Sequence, residues 1–390
     1  MYRSHKIKLI LNNSMSRYLD RCFGYDRYVW NSILARSNEL YKLGEDNSIN
    51  RITTEIRKRR NESKWERELP SYIINTNSLN ICHTWKLNHF ANFKTKKHEK
   101  KSFYIACNKF SDNSFKMNGS KMTFAITMSK QCRIPRKHRI MKLTEIPKCD
   151  DPWKDIASAV ISKEPDGYYV SFCIAVNDSK VIKTVSTSSI GIDPGIRNVI
   201  TTSNGIKIRF PVKKLKKLEK KIKHYDKQMS RRYKRGSDMI QSKRYNRAKS
   251  KRARAYQKIR RIKLDILHKT TTCIVRNNSF IAYENCSVKR LIKNKTLARY
   301  IYSSCWGIIK SMLYSKCELY GVRLELVNPL SAATQTCFNC DNRLTGSNKL
   351  SLKDSKYICP ICGYIEDRDI NAAKNILKFA QRLLAGAQSV

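Results

Sequence analysis

Two cysteine pairs, Cys337-Phe-Asn-Cys340 and Cys359-Pro-Ile-Cys362, constrain this chain more tightly than any other feature. The spacing Cys-x2-Cys-x18-Cys-x2-Cys lets two tight turns close a tetrahedral four-cysteine zinc site. Seven residues beyond Cys362 stands Asp369, in the first turn of a helix expected over Ile370 to Leu377. A carboxylate at a helix start is ordinarily a cap. It means more only where isolated carboxylates from elsewhere in the chain converge on it.

A chain of 390 residues with 41% hydrophobic side chains is long enough for two or three domains with real cores. Its formal net charge of +48 is self-repelling to a degree that a polyanion best neutralises, which makes nucleic acid the leading partner. The first residues, MYRSHKIKLILNNS, lack the apolar core of a signal peptide, so a reducing compartment is expected despite 14 Cys. The ten cysteines outside the zinc spacing (Cys22, Cys82, Cys107, Cys132, Cys149, Cys173, Cys273, Cys286, Cys305 and Cys317) read as small core residues. No apolar run approaches the length of a membrane span.

Lys6 to Leu11 alternates as a half-buried strand, and from Asn13 the spacing turns helical, with Leu19, Cys22, Phe23, Trp30, Ile33, Leu34 and Tyr41 as the apolar stripe. Arg51 to Arg67 presents a basic face within this helical module, with Arg57, Arg59 and Arg60 as candidate nucleic-acid contacts. Between Ser102 and Val185 the period returns to two, including a hairpin turned at Pro165-Asp166-Gly167. These strands are expected to join the first one in a β-barrel, with the helices inserted between. A polar linker follows at Thr184 to Ser189.

Ser189 to Phe210 then reads as a meander of three strands with Asp193 at its first corner. Pro211 to Lys269 is a basic helical pair, broken near Gly236-Ser237, whose Lys213, Lys214, Lys217, Arg231, Arg232, Lys234, Arg235, Arg252 and Arg254 are candidates for a phosphate backbone. A strand ends at Glu284, a helix is expected from Leu297 to Tyr320, and a strand from Val322 to Val327 leads to the cysteines. The seven histidines are dispersed, without ligand or triad spacing, and there is no internal repeat.

The order meander, helices, strand, helix, strand, helix places Asp193, Glu284 and Asp369 where an RNase H-like sheet would gather them. The first and fourth strands of such a sheet are neighbours, and the last helix packs at that edge. Three acids at one point need a cation such as Mg2+, and two ions about 4 Å apart would support phosphodiester hydrolysis.

Three segments, GIDPGIRN (Gly191 to Asn198), IAYEN (Ile281 to Asn285) and DRDINAAKNI (Asp367 to Ile376), resemble the TnpB family of transposon proteins. The family includes the Fanzor relatives and is similar to type V CRISPR effectors. A zinc ribbon split just before the third segment, and GYDRYVWN at Gly24 to Asn31, extend the likeness over most of the chain. The resemblance implies an RNA-guided DNA endonuclease in which a guide RNA from the transposon end pairs with double-stranded target DNA beside a short protein-read motif. It implies Mg2+ (or Mn2+) on the catalytic Asp193, Glu284 and Asp369, and one structural Zn2+ on Cys337, Cys340, Cys359 and Cys362. The compartment would be cytoplasm or nucleoid in a prokaryote, and nucleus or viral compartment for a eukaryotic or viral relative.

The expected architecture is a multidomain α+β protein: a β-barrel with an inserted helical module, followed by an RNase H-like (RuvC) α/β nuclease domain with an inserted zinc ribbon. The barrel would take residues 1–12 and 90–187, the helices 13–89, the nuclease domain 188–336 and 363–382, the ribbon 337–362 and a tail 383–390. Two positions depart from the family pattern: Asp341 where Gly is common after the second cysteine, and Cys286 where an aliphatic residue is usual, read as a change of packing. Two other readings stand beside the nuclease: a guided DNA-binding regulator without cleavage, and a guide-independent transposase or resolvase.

Overall fold

Strand β1 (Tyr2–Ile10) hydrogen-bonds to two strands far along the chain, and a helical module leaves from its end. The computed structural model describes residues 2–88, 91–95, 101–106, 114–118, 121–126, 128–175, 186–236, 240–286, 293, 295–329, 332–351 and 354–387. They divide into two compact units, Met1–Lys180 and Val181–Val390.

In the first unit, β1 gives way to helix α1 (Asn13–Lys42), whose N-cap Asn12 accepts a hydrogen bond from the Met15 N–H at 2.7 Å. Helices α2 (Ile49–Glu62), α3 (Lys64–Arg67) and α4 (Tyr72–Asn88) complete the module. Leu19, Cys22, Phe23, Ile33 and Leu34 are buried, whereas Tyr41, expected on the same stripe, is 76% exposed near the helix end.

The chain then supplies β2 (Ser102–Ala106), β3 (Phe115–Asn118), β4 (Lys121–Ala125), β5 (Ile140–Leu143), a short α5 (Pro152–Asp155), β6 (Ile156–Glu164) and β7 (Gly167–Ala175). With β1 they form a seven-stranded sheet in the order β2-β6-β7-β1-β5-β4-β3. Phe115 on β3 lies 5.7 Å, ring to ring, from Phe172 on β7. Four strand spacings on a flat sheet would separate them by roughly 19 Å. The sheet is therefore strongly curled, with β2 and β3 left as its edges among the described residues.

The second unit begins with β8 (Ser189–Asp193), β9 (Ile200–Thr202) and β10 (Lys207–Ile208). Helices α6 (Val212–Arg232) and α7 (Lys243–Arg276) pack through Leu215, Leu218, Ile222, Ala248 and Ala255 and leave nearly all their lysines in solvent. Then follow β11 (Phe280–Glu284), α8 (Lys295–Ser304), α9 (Trp306–Tyr320), β12 (Arg323–Val327), the hairpin β13 (Lys356–Ile358) with β14 (Ile365–Asp367), and α10 (Arg368–Ala387). The five-stranded sheet has the order β10-β9-β8-β11-β12, with β8, β11 and β12 parallel.

Two helices differ from the sequence reading. The single helix expected from Leu297 to Tyr320 breaks at Cys305, which adopts a left-handed φ of 62°. The break turns Trp306 so that its indole N–H donates to the Gly195 carbonyl at 3.0 Å. The last helix starts two residues before Ile370 and continues to Ala387, because its apolar stripe runs on through Ala380. The expected linker at Thr184 to Ser189 falls partly outside the described residues, as do Cys107 and Ser237.

Candidate metal sites and acidic cluster

Strands β8 and β11 run parallel with Ile192 opposite Tyr283, so Asp193 and Glu284 follow side by side at the carboxyl ends. The corner after Asp193 is tight: a Cβ on residue 195 would stand 2.6 Å from the Asn198 carbonyl oxygen, which only Gly avoids. Helix α10 crosses β8 at equally close range. A Cβ on residue 191 would stand 2.0 Å from the Ala373 carbonyl oxygen and 2.9 Å from Leu377 Cβ. Asp369, Ala373 and Leu377 follow at intervals of four on one helix face, so that approach brings Asp369 toward the end of β8.

Local chemistry fixes the start of α10. The Asp367 carboxylate accepts from the N–H groups of Asp369 (3.1 Å) and Ile370 (3.2 Å) and pairs with Lys207 at 2.5 Å. Burial alone would raise its pKa, but Lys207 and these N–H groups hold it below the usual carboxylate value. Asp369 Oδ2 accepts from Asn198 Nδ2 at 3.1 Å, and Oδ1 meets the Arg368 guanidinium at 3.3 Å.

Asp193, Glu284 and Asp369 share one electrostatic field. Burial pushes the Asp193 carboxyl well above its usual value, and the charges of Glu284 and Asp369 push it further against only partial relief from Arg368. Glu284 is also raised by burial, against the Cys286 thiol, which donates to Glu284 Oε2 at 3.0 Å. Cys286 therefore does more than pack. The cluster offers hard oxygen donors and no imidazole, the donor type that Mg2+ or Mn2+ takes. It is looser than the cysteine cluster, since among the described residues only the four cysteines bring their donor atoms all within 4.8 Å of one another.

In that cysteine cluster, Cys337 Sγ lies 3.7 Å from Cys362 Sγ and Cys340 Sγ 3.6 Å from Cys359 Sγ. A tetrahedron with metal–sulfur bonds of about 2.3 Å has edges of about 3.8 Å, so the donor set fits one metal ion. The Tyr364 backbone N–H and the Asn339 amide pull the Cys362 thiol down to about 6. Each knuckle ends in a left-handed residue, Asp341 (φ 60°) in the first and Gly363 (φ 69°) in the second. Asp341 offsets the steric cost by pairing with Lys378 (2.7 Å) and Arg382 (2.6 Å) of α10.

Further ties link the first knuckle to the same helix. Asn371 accepts from the Phe338 N–H at 3.1 Å and donates to the Thr336 carbonyl at 2.8 Å, while Asn375 donates to the carbonyls of Ala333 (2.9 Å) and Thr336 (2.6 Å). Both asparagines are fully buried. Sequence reasoning passed over them, and over Asn198, Lys207 and Asp367. The available signal was the pair Asn371-x3-Asn375 on an otherwise apolar helix, because buried amides need partners.

The basic candidates differ in availability. Lys213, Lys214, Lys217, Arg231, Lys234 and Arg235 are exposed, Arg254 is exposed and engaged in a contact of its own, and Arg232 and Arg57 are exposed with hydrogen bonds to Gln228 and Asn75. Arg252 pairs with Asp226 at 2.5 Å. Arg59 lies over the Tyr28 ring and pairs with buried Glu66, and Arg60 donates to the Leu69 carbonyl at 2.9 Å. Those two hold the helical module together. Among the other cysteines, Cys22, Cys132 and Cys317 are buried, but Cys273 is exposed on α7. No described helix is long and apolar enough to cross a membrane.

Three family models match along the chain: a helix-turn-helix domain of the OrfB/IS605 type over residues 1–46, the OrfB/IS605 "Probable transposase" over 171–295, and the "Cas12f1-like, TNB domain" over 306–376. These matches are consistent with the TnpB family. A protein described as "Putative RNA-guided DNA endonuclease" from Streptomyces pristinaespiralis is 28% identical over 389 residues, covering 96% of this chain and 88% of that protein. Escherichia coli K12 InsQ, with the same description, is 27% identical over 252 residues, covering 60% of this chain and 59% of its own length. The fold is similar to the protein in a cryo-EM structure of a Cas12f1-sgRNA-target DNA complex, with a TM-score of 0.55 at 14% identity, over 93% of this chain and 82% of that one.

Proposed function

We propose that this chain is an RNA-guided DNA endonuclease in which an RNase H-like (RuvC) site formed by Asp193, Glu284 and Asp369 cleaves the target DNA. The observation that carries the reading is the shared field of three carboxylates from β8, β11 and α10 in a chain of net charge +48. A structural cluster of acids would be paired with some of the many available cations. Here Arg368 meets Asp369, yet burial and the charges of Glu284 and Asp369 still hold the Asp193 carboxyl up against it, a condition that favours binding of divalent metal. Mg2+ held there would supply an activated water and stabilise the leaving oxygen during phosphodiester hydrolysis.

The chain's own residues do the positioning. Paired β8 and β11 hold Asp193 and Glu284, while the capped start of α10 holds Asp369. One Zn2+ on Cys337, Cys340, Cys359 and Cys362 has a structural role in a ribbon tied to that helix. The exposed cations of α6 and α7 offer a sequence-independent surface for guide RNA or a displaced strand. The descriptions of both relatives support the guided activity.

The test is the protein purified with its bound RNA. A defined noncoding RNA and Mg2+-dependent cutting of matching duplex DNA are expected, with cutting lost and binding retained in Asp193→Ala. Cutting that survives this change refutes the site. A guided regulator would keep its cellular function without Glu284 or Asp369, and a guide-independent transposase would carry no defined RNA.

A further inference from the structure

Asn198 closes the GIDPGIRN segment and is 4% exposed. Its Oδ1 accepts from Arg209 Nε at 2.6 Å, and its Nδ2 donates to Asp369 Oδ2 at 3.1 Å. A guanidinium can only donate, so Arg209 fixes the amide orientation and leaves the NH2 group facing the carboxylate. The backbone enforces this placement, since the Val199 N–H donates to the Ile208 carbonyl at 2.8 Å and holds the two segments together. Two residues before Arg209, Lys207 grips the Asp367 cap of α10. The end of the β9–β10 hairpin thus reaches the helix start at two points, one through Lys207 and one through Asn198.

We propose that Asn198, oriented by Arg209, is a positioning residue for Asp369: it holds one carboxylate oxygen in a fixed direction so that the group meets a divalent cation without reorganising. The inference rests on the proposed role of Asp369 as a metal ligand. Without Asn198, the remaining side-chain partner of Asp369 among the described residues is its own neighbour Arg368, whose other end donates to the Ser351 carbonyl at 3.0 Å. The carboxylate would then be drawn toward Arg368, which competes with a cation for it. Partners of metal-binding side chains are typically worth about 10–100-fold in metal affinity.

The experiment compares wild type, Asn198→Ala, Arg209→Met, Arg209→Lys and Asp369→Ala, each with bound RNA. Two quantities are read: the Mg2+ concentration giving half-maximal thermal stabilisation without DNA, and the Mg2+ concentration giving half-maximal cleavage. Asn198→Ala should raise both by about tenfold or more, Arg209→Met by less, and Arg209→Lys should restore part of the loss. Saturating Mg2+ should recover most of the cleavage rate. A generally damaged fold would instead lower the metal-free melting temperature and the maximal rate without moving either midpoint. Arg209 is exposed, so its variants report even if Asn198→Ala does not fold. Wild-type midpoints in Arg209→Met together with inactive Asp369→Ala overturn the inference and leave the site standing. Active Asp369→Ala overturns both.

Discussion

Gly191 and Ala373 touch backbone to backbone: the Ala373 carbonyl oxygen fills the space that any side chain at residue 191 would need. Two residues along β8 from this contact is Asp193, and one turn back along α10 is Asp369. Two strand residues and one helix turn each advance roughly 6 Å, so a single contact sets both acids at comparable reach.

Gly191→Ala should therefore cost about 3 kcal/mol or more in denaturant unfolding and abolish cleavage, although all three carboxylates remain. Gly307→Ala is the control, because a Cβ there meets nothing within 4 Å. It should stabilise by up to about 1 kcal/mol. Equal effects at the two positions would refute the account.

Asp193→Asn should raise the melting temperature of metal-free protein at neutral pH. Burial and the neighbouring acids raise the folded-state pKa of Asp193, so the folded chain holds a proton that the unfolded chain has released. Stability then falls as pH rises above the ordinary carboxylate range, and levels off once pH exceeds the folded-state value. The variant should show a shallower fall by calorimetry. Mg2+ should stabilise wild type more than the variant.

Cys286→Val should shift the acid limb of the cleavage profile to higher pH at limiting Mg2+. The thiol donates to Glu284 and lowers its pKa, so losing the donor lets burial raise it further. An unchanged pH profile would show that the thiol only packs.

Asp341→Gly and Asp341→Ala should differ. Both lose the ion pairs to Lys378 and Arg382, but only Gly relieves the left-handed backbone, which costs about 1 kcal/mol or more for a side-chain-bearing residue. The Gly variant should retain metal against a chelator better than the Ala variant, measured with a colorimetric zinc indicator.

Removing the ribbon metal should slow cleavage by loosening α10. Hydrogen exchange of Asp369 to Ala373 should rise in Cys359→Ser, and Asn371→Leu should do the same with the metal retained, since it strands the Phe338 N–H and the Thr336 carbonyl. A zinc-free Cys359→Ser protein with wild-type exchange and rate would rule the coupling out.

Much of this was legible in the sequence. Alternation marked the β6–β7 hairpin and the meander, and the cysteine spacing marked the four-sulfur cluster. Strands β3 and β5, four residues each, are too short for a period to register. The helix break at Cys305 carries no proline or capping signal, because the tertiary hydrogen bond from Trp306 to Gly195 directs it. Local sequence shows which acids exist, but the side chains that aim them lie far away: Asn198 is separated from Asp369 by 171 positions. Likewise, the basic run at Arg57 to Arg60 could not reveal that Arg59 and Arg60 are engaged with Glu66 and Leu69.

The ties between ribbon and helix also bear on how the chain folds. Ala373 meets Gly191 across nearly half the sequence, a contact of high loop-closure entropy that α10 must make late. A metal joining Cys337 to Cys362 shortens the effective loop between β12 and α10 before that docking begins. Metal loading should therefore accelerate refolding of the second unit, with the ribbon serving as a kinetic clip as well as a structural one.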